Sequence, residues 1–184
     1  MATTLLLARH GQTDANRERR WQGQTQTPLN DVGREQARAL AHELAADPPD
    51  VILCSDLDRA RETAAIVAAE LGLPVHTDPR LREVDIGSRA GRPVEETHRS
   101  DLRPLDYVIQ EEPWIFEEMR SRVIAALEEI AAAHDGERVL VVTHGGPIAA
   151  AWLACGGSLA DRPTVGNCQV RTIRVEGSTM TRLD

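Results

Sequence analysis

A chain of 184 residues, 41% of them hydrophobic, is long enough for a sizeable core and reads as one domain spanning 1–184. That composition excludes disordered, collagenous and low-complexity classes. The formal net charge of −8 argues against a nucleic-acid partner held by bulk charge, so an anion site must gather its positive charge locally.

Thr3–Ala8 is a short apolar run ending in Arg9-His10-Gly11, the pattern of a strand buried on both faces. No basic segment precedes it, and the run is too short for a signal peptide. Gln12 to Thr27 is polar and too long for a tight turn. Asn30 is placed to N-cap a helix carrying Ala37, Leu40, Ala41 and Leu44 at helical spacing, and Asp47-Pro48-Pro49-Asp50 stops it. Val51–Ser55 predicts a second buried strand, Asp56–Leu71 a helix ended by Gly72, and Val75–Thr77 a third strand. Leu81–Pro113 is polar and punctuated by Pro and Gly; it predicts an irregular segment, with a lid over about residues 84–113.

Trp114–His134 predicts a helix with Ile115, Met119, Val123, Ala126, Leu127 and Ile130 on one face. Arg138–Thr143 follows as the fourth strand, Pro147–Cys155 as a helix, Gln169–Glu176 as an alternating edge strand, and Met180–Leu183 as one more. Val139–Ala160 carries no charged residue and has the length of a membrane span. Thr143-His144-Gly145-Gly146-Pro147 and Gly156-Gly157-Ser158 divide it, so strand, loop and buried helix are expected, in a soluble, cytoplasmic protein without a membrane partner. Cys54, Cys155 and Cys168 contain no CxxC pair and predict neither a disulfide framework nor a zinc site; Cys54 and Cys155 read as small buried hydrophobes.

This alternation predicts a three-layer α/β sandwich: a mainly parallel sheet with one antiparallel edge strand and helices on both faces. Ligands of such sheets lie beyond the carboxyl ends of the strands. Those ends deliver Arg9-His10-Gly11, then Ser55-Asp56 with Arg59 one turn into the next helix, then Arg82-Glu83, then Thr143-His144-Gly145-Gly146. One histidine at a strand end usually caps or packs; four strand ends carrying compatible groups point to a site. Arg9 and Arg59 offer donor forks for phosphate oxygens. Gly11 and Gly145 allow close approach of backbone amides. His10 can attack phosphorus when neutral, a form that nearby arginines favour. His144 adds a donor. Glu83 can protonate a departing alkoxide, holding the proton that a nearby dianionic ester favours.

Four ordered blocks carry a resemblance. They are Arg9-His10-Gly11-Gln12-Thr13 with Asn16, Gln22-Gly23, Pro28-Leu29 and Gly33; Ser55-Asp56-Leu57-x-Arg59-Ala60-x-Glu62-Thr63-Ala64; Leu81-Arg82-Glu83-x-x-x-Gly87; and Val142-Thr143-His144-Gly145-Gly146. Asn167-Cys168 adds a late step. Across nearly its whole length the chain resembles the histidine phosphatase superfamily, also called phosphoglycerate mutase-like. The resemblance implies that His10 is transiently phosphorylated, that Glu83 is the proton donor, and that Arg9, Arg59 and His144 hold the phosphoryl group. It also implies a phosphate contact from Asn16, a substrate-side lining from Gln22 and Gly23, a small-molecule phosphate ester as partner, and no metal or other cofactor. Asn16 also reads as a residue that orders its loop, and Gln22 as a solvated loop residue.

Family mutases carry a long insertion after the catalytic glutamate, whereas only 61 residues separate Glu83 from His144. Where the mutase branch has an arginine and then a tyrosine, this chain has Val84 and Ile86. The expectation is a metal-independent phosphomonoesterase for a small phosphorylated metabolite. The alternatives are a 2,3-bisphosphoglycerate-dependent phosphoglycerate mutase and, from another class, an inactive phosphate-binding or interaction module. A metallohydrolase using His10, His144 and Glu83 is disfavoured by the adjacent arginines. Ser88-Arg89-Ala90-Gly91 and Glu111-Glu112-Pro113-Trp114 depart from the phosphatase pattern, and the two glutamates read as a solvated helix start. Trp21, Tyr107 and Trp114 are placed either to sandwich a leaving group or to anchor packing, and Trp152 is expected in the core. His42, His76 and His134 read as surface residues; His98 falls in the variable segment. The sequence assigns no oligomeric state.

Overall fold

The computed structural model describes residues 1–96 and 102–184; His98 lies outside the described residues. Among the described residues six strands, β1 (Thr3–Arg9), β2 (Val51–Cys54), β3 (Val75–Thr77), β4 (Arg138–Thr143), β5 (Val170–Glu176) and β6 (Thr179–Arg182), form one sheet in the order β3-β2-β4-β1-β5-β6. The first four are parallel; β5 runs antiparallel to β1, and β6 turns back along β5 as the edge. The helices among the described residues are α1 (Asp14–Arg17), α2 (Asp31–Leu44), α3 (Asp58–Leu71), α4 (Pro104–Glu111), α5 (Pro113–Ala133) and α6 (Gly145–Ala154).

Alternation along the central strands feeds two cores. Leu5 and Leu7 of β1, with Val139 and Val141 of β4, face α5 and α6. Leu6 and Ala8, with Leu140 and Val142, face α2 and α3. This explains why these strands read as unbroken apolar runs, and it gives the expected three layers. Asn30 caps α2 by accepting from the Gly33 N–H at 2.9 Å. The uncharged run from Val139 divides into β4 and α6 around His144, and among the described residues no helix is long and apolar enough to cross a membrane.

Three local expectations need correction. Residues 81–113 are not irregular throughout, because α4 forms within them. Pro104 reads as a breaker but sits in the first turn of the helix, where its missing N–H is not needed, and the inward position is a charged residue, Asp106, which hides the helical period. In α5 the fully buried side chain of the first turn is Phe116, with Ile115 only half-buried. Trp152 is half-buried rather than core, with the Arg182 guanidinium 4.1 Å from its ring centroid; Cys155 is likewise only half-buried.

Candidate active site

Register places the site. Arg9 pairs with Thr143 and Cys54 with Val142, so β1, β4 and β2 end level. The residues that follow, His10, His144 and Ser55, therefore meet. The Thr143 hydroxyl donates to the Leu81 carbonyl at 2.8 Å, which brings the Arg82-Glu83 loop to the same edge.

His10 and His144 are buried, their ring centroids 5.2 Å apart. His10 Nδ1 lies 2.7 Å from the Gly11 carbonyl oxygen. A carbonyl only accepts, so Nδ1 carries the proton and Nε2 keeps its lone pair. The Arg59 Nε–H donates to that lone pair at 3.2 Å. Burial, and then the charges of Arg59 and Arg9, hold His10 well below the usual imidazole value. His144 is held low chiefly by burial, then by Arg59. Its Nε2 lies 2.9 Å from the Ser55 hydroxyl, which already accepts from the Leu57 N–H. The other ring nitrogen, Nδ1, is buried and has no hydrogen-bond partner among the described residues.

Arg59 is locked in place. Nη1 donates to the Thr25 carbonyl at 2.8 Å and Nη2 to the Gly23 carbonyl at 2.7 Å, which aims Nε at His10. Burial lowers Arg59 to about 10, still cationic at neutral pH. Gly23 has φ +51°, and a Cβ there would lie 2.4 Å from Ile86 Cγ1, so this carbonyl is presented from a left-handed, crowded position that favours glycine. Arg9 donates through Nη1 to the Val165 carbonyl, and its buried Nε has no partner among the described residues. The Glu83 carboxylate accepts from the Gly146 N–H at 3.1 and 3.2 Å and from the Val84 N–H at 3.0 Å.

Eight of the nine expected site residues line one cavity of about 440 Å³: Arg9, His10, Asn16, Gln22, Gly23, Arg59, Glu83 and Gly145. His144 does not reach the wall; it stands behind His10. Asn16 Oδ1 is taken by the Thr13 N–H and the Asn167 amide, which leaves its NH₂ group for the cavity. Gln22 Oε1 accepts from the Thr13 hydroxyl at 2.9 Å.

Several residues that build the site carry no role in the sequence reading. Asn167 Nδ2 donates to the His10 carbonyl at 2.9 Å, and Thr63 accepts the Gly11 N–H at 3.0 Å. Gln24 and Arg122 both donate to the Glu83 carbonyl. Gly146 is the glycine that close approach demands, since a Cβ there would lie 2.1 Å from Glu83 Oε1; its signal is the doubled glycine after His144. Other expectations change. Glu112 is not solvated but ion-paired with Arg89, whose guanidinium lies 5.8 Å from the Trp21 ring centroid and 5.9 Å from that of Tyr107. Trp21 is buried on the cavity wall, whereas Trp114 is 66% exposed and off it. Arg82 forms a two-pronged pair with Asp56, at 2.7 and 2.5 Å. His42 and His76 are exposed; His134 is half-buried against Glu137.

Residues 5–183 match the family described as the histidine phosphatase superfamily (branch 1). The chain is 38% identical over 156 residues to phosphoglycerate mutase-like protein 4 of Arabidopsis thaliana, covering 78% of this chain and 67% of that protein. It is 36% identical over 161 residues to a metal-independent phosphoserine phosphatase of the same plant, covering 82% and 68%. The structure of Bacillus stearothermophilus YhfR matches with a TM-score of 0.84 at 32% identity, over 98% of this chain and 95% of that one.

Proposed function

The chain belongs to the histidine phosphatase superfamily, and from that premise we propose that it is a metal-independent phosphomonoesterase acting on a small phosphorylated metabolite through a phosphohistidine. The observation that carries this reading is the His10 imidazole. Nδ1–H is held on the Gly11 carbonyl, and the Nε2 lone pair points at the Arg59 fork.

In this reading a phosphoryl group sits against Arg9, Arg59, the Asn16 amide and the first turn of α6. His10 Nε2 attacks phosphorus opposite the ester oxygen. The P–N bond forms as the P–O bond breaks, the bonding pair passes to the ester oxygen, and Glu83 gives that oxygen its proton. The Gly11 carbonyl stabilises the cationic ring through Nδ1–H. Water then attacks the phosphohistidine and Glu83 takes its proton; the P–N bond breaks, and inorganic phosphate leaves with His10 neutral again. Donors fixed before the reaction supply most of the rate, because they face charge spreading over the phosphoryl oxygens. His144 packs beside the nucleophile, its ring centroid 5.2 Å from that of His10.

One feature favours water as the acceptor over a second phosphorylated metabolite: Val84 and Ile86, buried and apolar, stand where the mutase branch is expected to carry an arginine and a tyrosine.

The test is brief exposure to a radiolabelled ester followed by an alkaline quench. Label is expected on the peptide containing His10, and His10→Ala is expected to remove it and to slow p-nitrophenyl phosphate hydrolysis about 10⁴-fold or more. Hydrolysis by His10→Ala near the wild-type rate would overturn the proposal. Interconversion of phosphoglycerates without phosphate release would replace it with the mutase.

A further inference from the structure

The chain carries a net −8, yet eight of its 21 basic residues, all arginines, line the cavity of about 440 Å³, against two side-chain carboxylates, Glu83 and Asp184. Charge of one sign gathered in a cavity focuses the field on its ligand. Arg9 and Arg59 face the phosphoryl group, and Arg19 and Arg20 are paired with Glu95 and Glu18. The other four are only partly neutralised. Arg103 and Arg162 share a single carboxylate, Asp106, at 2.6 Å each. Arg171 lies 3.7 Å from Asp184. Arg182 has no carboxylate partner among the described residues and stacks on Trp152. Arg162 Nε and Arg171 Nε are buried and without a hydrogen-bond partner among the described residues, and the Arg162 side chain is only 10% exposed. Such a donor is costly to keep unless an acceptor from outside the chain fills it.

Sheet register sets where these side chains stand. Arg171 lies opposite Leu7 of β1, and Arg182 opposite Ile173 of β5. Opposite residues share a face, and so do alternate residues along a strand. Arg9, Arg171 and Arg182 therefore share the sheet face that packs on α6, with Leu7 and Ile173 between them. Each is the diagonal neighbour of the next, at about 7–8 Å. Arg162 stands three residues from Val165, whose carbonyl accepts from Arg9 Nη1 at 2.8 Å. A stripe of cations thus leads from the phosphoryl end into the rest of the cavity.

We propose that this stripe is a second oxyanion site, and that the preferred substrates are phosphate monoesters whose alcohol carries a distal acidic group, such as a carboxylate, about 7–8 Å from the ester phosphorus. This rests on the phosphatase reading and names the leaving group that reading leaves open. Arg171 and the unfilled Arg162 Nε–H take the distal anion, with Arg182 one step further out. Guanidinium forks match a carboxylate and keep their charge at every working pH. At roughly 1.2 Å of extended chain per bond, six bonds from phosphorus to the carboxylate carbon span the step. That is the length of 5-phosphonooxypentanoate.

Carboxyalkyl phosphates from phosphoglycolate to 6-phosphonooxyhexanoate test this on the intact protein. Each is read as the ratio of its kcat/KM to that of the alkyl phosphate of matching length, hexyl phosphate for the pentanoate. A distant carboxylate barely changes the basicity of the leaving alcohol, so the ratio reads recognition. It is expected to stay near one for phosphoglycolate and to reach about tenfold or more at the pentanoate, as a charge-assisted hydrogen bond implies. 5-Aminopentyl phosphate is expected to fall below hexyl phosphate. Arg171→Gln is expected to bring the pentanoate ratio close to one; a ratio is read, so a change in active fraction does not matter. Should that variant fail to fold, Arg182→Gln reads the same stripe. A ratio near one along the whole series, or one that survives the substitution, overturns the second site and leaves the phosphatase standing if His10 still labels. So does preference for the ammonium ester, or a ratio greatest at phosphoglycolate, whose carboxylate is too near the phosphorus to reach Arg171. A protein that neither labels nor turns over any ester removes both readings.

Discussion

The phosphoryl end of the cavity is held by hydrogen bonds that join distant parts of the chain, whereas its far wall is held by ion pairs and apolar contacts among surface segments. At the first end, Asn167 braces the His10 carbonyl, Thr63 the Gly11 amide, and Gly146 the Glu83 carboxylate. At the second, Asp106 ties α4 to Arg162, and Arg89 joins Trp21, Tyr107 and Glu112. The first kind of construction tolerates little displacement, which suits in-line transfer between fixed atoms. The second fixes shape, and substitution can change its chemistry while the sheet edge stays in place. Reaction type and leaving-group preference are thus carried by separable parts of one cavity.

Glu83→Gln probes the fixed end most directly. The amide keeps an acceptor for the Gly146 N–H but has no proton to donate. kcat/KM with an alkyl phosphate is expected to fall about 10²–10⁴-fold. The loss with p-nitrophenyl phosphate should be much smaller, because a nitrophenolate leaves without a proton. Equal losses on the two esters would make Glu83 a positioning group.

Stability against pH probes the same end without substrate. Burial, with Arg59 second, lowers both His10 and His144 in the folded protein, so the unfolded chain takes up protons near pH 6.5 that the folded chain refuses. Stability from this source is complete above pH 6.5 and is lost as pH falls below it, by up to about 2.7 kcal/mol per pH unit for two sites. Urea unfolding at pH 7.5 and 5.5 measures it, and His10→Gln should remove about half of the slope. A variant with the wild-type slope would mean that His10 is protonated in the fold. In the native enzyme, His10 stays neutral across the same range, so it should cause no loss of kcat/KM between pH 7.5 and 6.5.

Asp106→Ala moves to the far wall. It leaves Arg103 and Arg162 without their shared carboxylate and is expected to cost about 2 kcal/mol in urea unfolding. His10 labelling should persist. A variant that unfolds no more easily but no longer labels would show the two ends to be one unit.

The same division governs what could be read before folding. Arg9-His10 and His144 were legible because each ends an apolar run that can only be a central strand, and a strand end is a place as well as a pattern. The sequence does not separate Gly146 from Gly145, because a glycine's role depends on which atom approaches it, here Glu83 Oε1. The helix α4 was hidden because its inward position holds Asp106, whose burial makes sense only once Arg103 and Arg162 are seen around it. Glu112 failed in the same way: the Arg89 that pairs with it lies 23 positions away along an aperiodic segment.

Trp21 and Trp114 give the finest form of the comparison, since sequence alone cannot separate them. Trp21 is 8% exposed on the cavity wall beside Arg89, and Trp114 is 66% exposed along a shallow outer groove with Glu118. An exposed ring without close packing contributes little to stability, within about 0.5 kcal/mol. It also has no surface to bury against a leaving group inside the cavity. Trp114→Ala should therefore leave kcat/KM for hexyl phosphate within about twofold of wild type, inside the margin that such small energies allow. A tenfold fall confined to the longer alkyl esters would bring the outer groove into the leaving group's path, and the far wall would then extend across the surface between α4 and α5.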